Sequence, residues 1–321
     1  MKMGVNYDVG FLPGPGLTRK AFDVEDVRRD MRTIARDLHC ACVRVSGADP
    51  ARVAVAAEEA AAEGLEVWFS PLPVDLGPAG TLAVVADAAE RAETLRRGGA
   101  RVVLVTGCEL SAFAHGFIPG DGHRERLRAM MTGDVAWWTS LMDVMPRFNA
   151  FLAETASAAR ERFSGPLSYA SGPWEPVDWT PFDVVGVDAY RAAYNAHDYL
   201  DDLRAHFRHG KPVAVTEFGT CPYRGAGDRG GSAWMVPDGA VPDEGEQARY
   251  FEELTDLFER EGVDTALWFT FAAFHLAEGS DLGSYGVVGR RGGSRWEPRE
   301  VFHAMAARYG RGGGPVRDAR N

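Results

Sequence analysis

Eight short apolar runs recur along this chain, and each is followed or preceded by a stretch whose apolar residues fall at helical spacing. The runs are residues 4–8, 42–46, 66–71, 102–106, 166–170, 184–188, 212–216 and 266–271. Most are rich in Val, Phe and Trp and lack strict polar alternation, the mark of strands buried on both faces. Amphipathic stretches over 24–38, 50–63, 81–97, 134–162, 197–209, 244–261 and 298–308 alternate with them. Thr81 and Asp134 predict N-caps, and Gly64, Gly98 and Gly262 predict helix C-termini. Strand and helix in alternation imply a parallel sheet. Eight units within 321 residues fit a closed α/β barrel, the (β/α)8 TIM barrel, better than an open doubly wound sheet. The expected organisation is one barrel domain over residues 1–309, then a Gly- and Arg-rich tail over 310–321 without packed structure.

The connections differ in length, and length carries information. Residues 171–183 are few and rich in Pro and Trp, too short for a full helix. Residues 110–133 and 220–243 are long βα loops, and loops of that length in a compact domain usually carry function. Both are expected as walls or lids over one rim. The loop after the first strand, residues 10–16, has the wrong glycine spacing for a dinucleotide site and no phosphate-binding lysine.

A net charge of −11 disfavours nucleic acid and anionic membrane surfaces, which need concentrated Lys and Arg. No run of about 18 apolar residues predicts a membrane-spanning helix. The N-terminus enters a strand pattern at once without the apolar segment of a signal peptide, which predicts a cytoplasmic protein. Cys40, Cys42, Cys108 and Cys221 form no secreted disulfide framework. Cys40 and Cys42 are expected on one face of a strand as small buried residues, and no second Cys/His pair has zinc-site spacing. Neither a metal nor an organic cofactor is expected. Lys2, Lys20 and Lys211 are the only lysines, and Lys211 stands at the wrong end of its strand for Schiff-base chemistry. A binuclear metallohydrolase needs several His at strand ends, where only His275 qualifies. The glycines of residues 225–231 match a barrel phosphate site poorly.

Two of the apolar runs end in a carboxylate. Val213-Ala214-Val215-Thr216-Glu217-Phe218-Gly219 closes one, and Val102-Val103-Leu104-Val105-Thr106-Gly107-Cys108-Glu109 closes the other. In a parallel barrel both ends lie on the rim where active sites open. A lone strand-end Glu is more simply a cap or an Arg partner. The matched pair favours the chemistry of glycoside hydrolysis, which needs two carboxyl groups flanking one bond.

This layout resembles the retaining glycoside hydrolases of clan A, the 4/7 superfamily named for catalytic carboxylates at the ends of strands four and seven. The resemblance covers residues 4–309 and rests on short motifs. In that family the fourth strand ends in Asn-Glu, the Glu serving as acid/base; the matching pair here is Cys108-Glu109. The seventh strand carries the nucleophile, often within Thr-Glu-Phe-Gly, reproduced as Thr216-Glu217-Phe218-Gly219. An Arg on strand two, a Tyr after strand six and a Trp on strand eight are typical, and Arg44, Tyr190 and Trp268 match them. The resemblance implies a retaining, metal-free hydrolase acting on a small-molecule or oligosaccharide glycoside.

The residue types have chemical reasons. Arg44 keeps a nucleophilic carboxylate ionised, or else satisfies a buried carboxylate structurally. Tyr190 orients that carboxylate or packs at the rim, and Trp268 is either a sugar platform or core. Asp188 is either a third site carboxylate or a helix cap, and the cap is the favoured reading. One of Asn6, Tyr7 and Asp8 is expected to contact ligand. Trp174 and Trp179 read as an aromatic loop wall, and His275 as a ligand contact past strand eight. Cys108 departs from the family, because a thiol cannot replace the amide that serves a sugar 2-hydroxyl. The alternative is therefore a repurposed or non-catalytic barrel that binds a carbohydrate or a glycosylated small molecule.

Overall fold

The structure, a computed structural model, describes residues 1–12, 17–276, 281–291 and 295–312. Strands β1 (Lys2–Asp8), β2 (Cys42–Gly47), β3 (Glu66–Pro71), β4 (Val102–Cys108), β5 (Leu167–Ser171), β6 (Val185–Asp188), β7 (Val213–Phe218) and β8 (Thr265–Trp268) pair in sequence order. All pairings are parallel, and β1 closes on β8. The result is the expected (β/α)8 barrel.

One side-chain set of each strand fills the barrel, and the other faces the helices. Cys42, Trp68, Val105, Cys108, Ala214 and Leu267 belong to the inner cluster. The wall is too tight for a side chain at Gly4, where a Cβ would lie 2.1 Å from the Cys42 carbonyl oxygen. The outer core is built against α1 (Val24–Arg32), α2 (Pro50–Ala62), α3 (Pro78–Arg97), α4 (Leu110–Phe113), α5 (His123–Thr132), α6 (Val135–Leu141), α7 (Met145–Arg160), α8 (Tyr199–His206), α9 (Glu244–Glu261) and α10 (Glu300–Gly312). An antiparallel pair, β9 (Val288–Arg291) and β10 (Arg295–Pro298), precedes α10.

Several local expectations are corrected. Helix α3 starts at Pro78 with Gly77 as its N-cap, so Thr81 lies inside the helix. Proline fits a first helical turn because its missing N–H is unneeded there. Asp134 does cap α6, accepting from Trp137 N at 2.9 Å. Residues 134–162 are two helices rather than one, broken after Leu141, with Pro146 in the first turn of α7. Residues 110–133 hold α4 and α5, tied together by buried Arg126, which donates to Ala112 O at 2.5 Å and Gly120 O at 3.0 Å. The connection 171–183 carries no helix, as expected. Cys40 precedes β2 and packs in the outer core while Cys42 faces the barrel interior, so they share no face. Residues 310–312 of the supposed tail belong to α10, and 313–321 lie outside the described residues. Lys211 donates to Trp179 O at 2.5 Å and Thr180 O at 3.1 Å, away from the rim. Among the described residues no helix is long and apolar enough to cross a membrane.

Candidate active site

The strand ladders slip where the polar rim begins. Register shifts fall between Val105 and Cys108 on β4, between Val187 and Asp188 on β6, and between Val215 and Phe218 on β7. Such irregularities re-aim the side chains at a strand end. Here they bring Cys108, Asp188 and Glu217 together, with ligand-type atoms within 4.8 Å of one another. Cys108 Sγ stands 3.5 Å from Asp188 Oδ2 and 3.6 Å from Glu217 Oε1.

Glu217 is anchored on both oxygens. Arg44 Nη1 donates to Oε1 at 2.8 Å, and the Tyr190 hydroxyl donates to Oε2 at 2.9 Å. Arg44 is buried on β2 and is aligned by Nε donating to Ser70 Oγ at 3.1 Å. A guanidinium does not deprotonate, so it is a fixed positive charge against Glu217. Gly219 follows because a Cβ there would sit 2.4 Å from the Phe269 carbonyl oxygen.

Asp188 is a third carboxyl of the site and caps no helix. It accepts from Thr216 Oγ1 at 2.8 Å, and burial, then the neighbouring Glu217 charge, pushes its carboxyl well up. Burial, then the Asp188 and Glu217 charges, likewise pushes the Cys108 thiol well up. Cys108 is thus a neutral S–H donor and a poor nucleophile. These three are the candidate metal ligands among the described residues. Arg44 already supplies their cation, which disfavours a second one.

Glu109 meets a different setting. It sits at φ 45°, ψ 41°, in the left-handed region, between β4 and the short α4. Its amide donates to Ala170 O at 2.9 Å, and its carbonyl accepts from Ala112 N and Phe113 N. Burial, reinforced by the charges of Asp188, Glu217 and Glu175, pushes its carboxyl well above the ordinary range.

The other expected residues divide. Asn6 is buried and serves as a brace, its Nδ2 donating to Thr216 O at 3.0 Å and Leu267 O at 3.3 Å. Tyr7 points to the helix layer and donates to Asp30 Oδ2 at 2.7 Å. Asp8 folds onto its own loop, accepting from Gly10 N at 2.6 Å, with its carboxyl pushed up to about 6 by burial. Of its two readings, sugar platform or core, Trp268 takes the core one, because it is fully buried among Phe218, Tyr250 and Phe251. Trp179 is core as well, packed edge-on against Phe182. Trp174 is half-buried over Gly172 and donates Nε1 to Ser111 Oγ at 3.0 Å. His275 is exposed and packs edge-on against Phe11 at 6.0 Å.

Sequence reasoning missed three residues. Phe269, the neighbour of Trp268, is half-buried, and its ring centroid lies 5.7 Å from Tyr285, itself 6.0 Å from Tyr190. That aromatic series includes Tyr190, whose hydroxyl donates to Glu217. Glu175 is the third, a buried carboxylate in a loop read only for its tryptophans. Its one signal was an acidic residue inside an otherwise apolar Pro-Trp stretch.

Solved structures share this architecture. A GH113 β-1,4-mannanase superposes with TM-score 0.67 at 15% identity, over 97% of this chain and 99% of its own. The GH113 β-mannanase from Alicyclobacillus acidocaldarius in complex with ManMIm gives TM-score 0.65 at 18% identity, over 96% of each chain. The chain has the fold of these glycoside hydrolases. A β-glucuronidase from Ruminococcus gnavus in complex with uronic deoxynojirimycin follows at TM-score 0.61 and 16% identity, over 96% of this chain and 49% of its own. No protein-family model matches the chain, and no curated protein matches its sequence. The mannanase likeness runs nearly end to end, so the barrel itself is the shared unit. The site rests on the geometry of this chain.

Proposed function

We propose that this protein is a retaining glycosidase with Glu217 as nucleophile and Glu109 as acid/base. The observation that carries the reading is the unequal pair at one rim. Glu217 has a cation and a hydroxyl donor on its two oxygens, while Glu109 is held up by burial and by the neighbouring carboxyls Asp188, Glu217 and Glu175. Retaining hydrolysis asks for that division of labour. In the first step a Glu217 oxygen bonds to the anomeric carbon as the glycosidic C–O bond breaks, and Glu109 gives its proton to the leaving oxygen. In the second step Glu109 takes a proton from water, which attacks the anomeric carbon and releases Glu217. The similar fold of mannanases and a β-glucuronidase supports a carbohydrate substrate.

Hydrolysis of a panel of aryl glycosides, β-mannosides and β-glucuronides included, tests the reading. The wild type is expected to turn over at least one of them, and Glu217→Gln to turn over none. Cys108 favours one second reading, a barrel of this type that binds a carbohydrate or glycosylated small molecule without cleaving it. Calorimetric binding of a glycoside with no turnover anywhere in the panel would support that second reading.

A further inference from the structure

The turn at Glu109 is held from behind. The two backbone N–H groups that follow it are both taken by a buried pair from β5 and its loop. Leu110 N donates to the Tyr169 hydroxyl oxygen at 2.7 Å, and Ser111 N donates to Glu175 Oε1 at 3.0 Å. The Tyr169 hydroxyl donates in turn to Glu175 Oε2 at 2.8 Å, where Gly172 N also donates at 3.1 Å. Tyr169 is fully buried, and Glu175 is 6% exposed. A left-handed conformation at a residue other than glycine persists only where its surroundings over-determine it. Helix α4 has four residues, too few to fix that turn alone. The hydrogen-bonded pair does what the helix cannot.

We propose that Glu175 is a positioning residue for Glu109, holding its left-handed turn through Tyr169 and the Leu110 and Ser111 amides while standing as a buried negative charge behind it. The proposal rests on the reading of Glu109 as acid/base. A carboxylate suits the place because three donors converge on it, and a carboxylate only accepts. Burial pushes Glu175 up to about 7, against the pull of its Ser111, Tyr169 and Gly172 donors. Facing Glu109 are Asp188 of β6, Glu217 of β7, Arg44 of β2 and Glu175 of the β5–β6 loop. Facing Glu175 are Tyr169 of β5, the Ser111 and Gly172 amides, and Glu109 itself. As Glu175 ionises, its charge makes Glu109 keep its proton to higher pH.

The test compares wild type, Glu175→Gln and Tyr169→Phe on aryl glycosides of graded leaving-group ability. A carbon-13 NMR titration of Glu109 in the same three proteins runs beside it. In Glu175→Gln, poor leaving groups are expected to lose about tenfold or more in kcat/KM and activated ones less than about threefold, the signature of a misplaced general acid. The Glu109 titration is expected to move to lower pH. Tyr169→Phe should give the same leaving-group signature while keeping the Glu175 charge, and it carries the test if Glu175→Gln does not fold. Equal losses on every leaving group, or a Glu109 titration unmoved in Glu175→Gln, overturn the proposal. If wild type turns over no glycoside, the functional reading fails by itself. The Glu109 titration then decides the present inference, a lowered value sustaining it and an unmoved one overturning it.

Discussion

Glu217 and Glu109 were both legible in the sequence because each ends an apolar run, and strand direction places both on one rim. Arg44 and Tyr190 were legible through resemblance, and both lie within hydrogen-bond distance of Glu217. Asp188 was legible only as one of two readings, site carboxyl or helix cap, and Glu175 was not legible, because its partners are amides and a hydroxyl that only the folded chain gathers. Tyr190→Phe removes one of two donors to Glu217 while keeping the ring packed against Tyr285. It is expected to lower kcat/KM by about tenfold, in keeping with the loss of a hydrogen bond to a charged group. Thermal unfolding should barely move, and unchanged kinetics would count against the role. Cys108→Asn puts an amide beside Glu217. It is expected to raise kcat/KM for a glycoside bearing a 2-hydroxyl more than for its 2-deoxy analogue. An unchanged ratio between the two substrates contradicts that expectation.

At the scale of elements, the strands were readable and their exact register was not. Buried runs announce strands, but the choice between Trp268 and Phe269 for the rim depends on which face each side chain takes. Leu267 belongs to the inner cluster and Trp268 to the outer core, a phase that a run apolar throughout does not announce. The break between α6 and α7 was hidden for a related reason, since apolar periodicity continues across it while Pro146 restarts the helix. Trp268→Ala should leave a cavity against α9 and cost about 3–5 kcal/mol, as deletion of a large buried aromatic does. Urea unfolding measures this, and a loss below about 1 kcal/mol would contradict the assignment of Trp268 to the core. Gly219→Ala brings a Cβ to 2.4 Å from backbone and must shift the end of β7. It is expected to impair turnover more than Trp268→Ala at equal folded fraction, because the shift moves Glu217 itself.

For the whole molecule, the barrel concentrates buried carboxyls at its rim. Burial raises Asp8 to about 6 and Glu175 to about 7, and pushes Glu109 and Asp188 upward as well. A carboxyl whose folded pKa lies above its unfolded value binds more protons in the folded state, so stability falls as pH rises between the two. Glu93 acts oppositely: Arg96, first among its partners, holds its carboxyl well below the ordinary range. Its contribution is present above the unfolded value and lost on acidification. The melting temperature should therefore peak near pH 5 and decline by a few degrees toward pH 8. Scanning calorimetry across that interval checks the sign, and a steady rise from pH 5 to pH 8 would contradict it. The most direct test of the central claim is covalent trapping. Incubation with activated 2-deoxy-2-fluoro glycosides, mannosyl and glucuronosyl among them, followed by peptide mass spectrometry, reads the nucleophile without relying on turnover. The account predicts one fluoroglycosyl adduct on the peptide carrying Glu217, absent in Glu217→Gln; an adduct on any other residue, or hydrolysis of the same sugar with no adduct at Glu217, would contradict it.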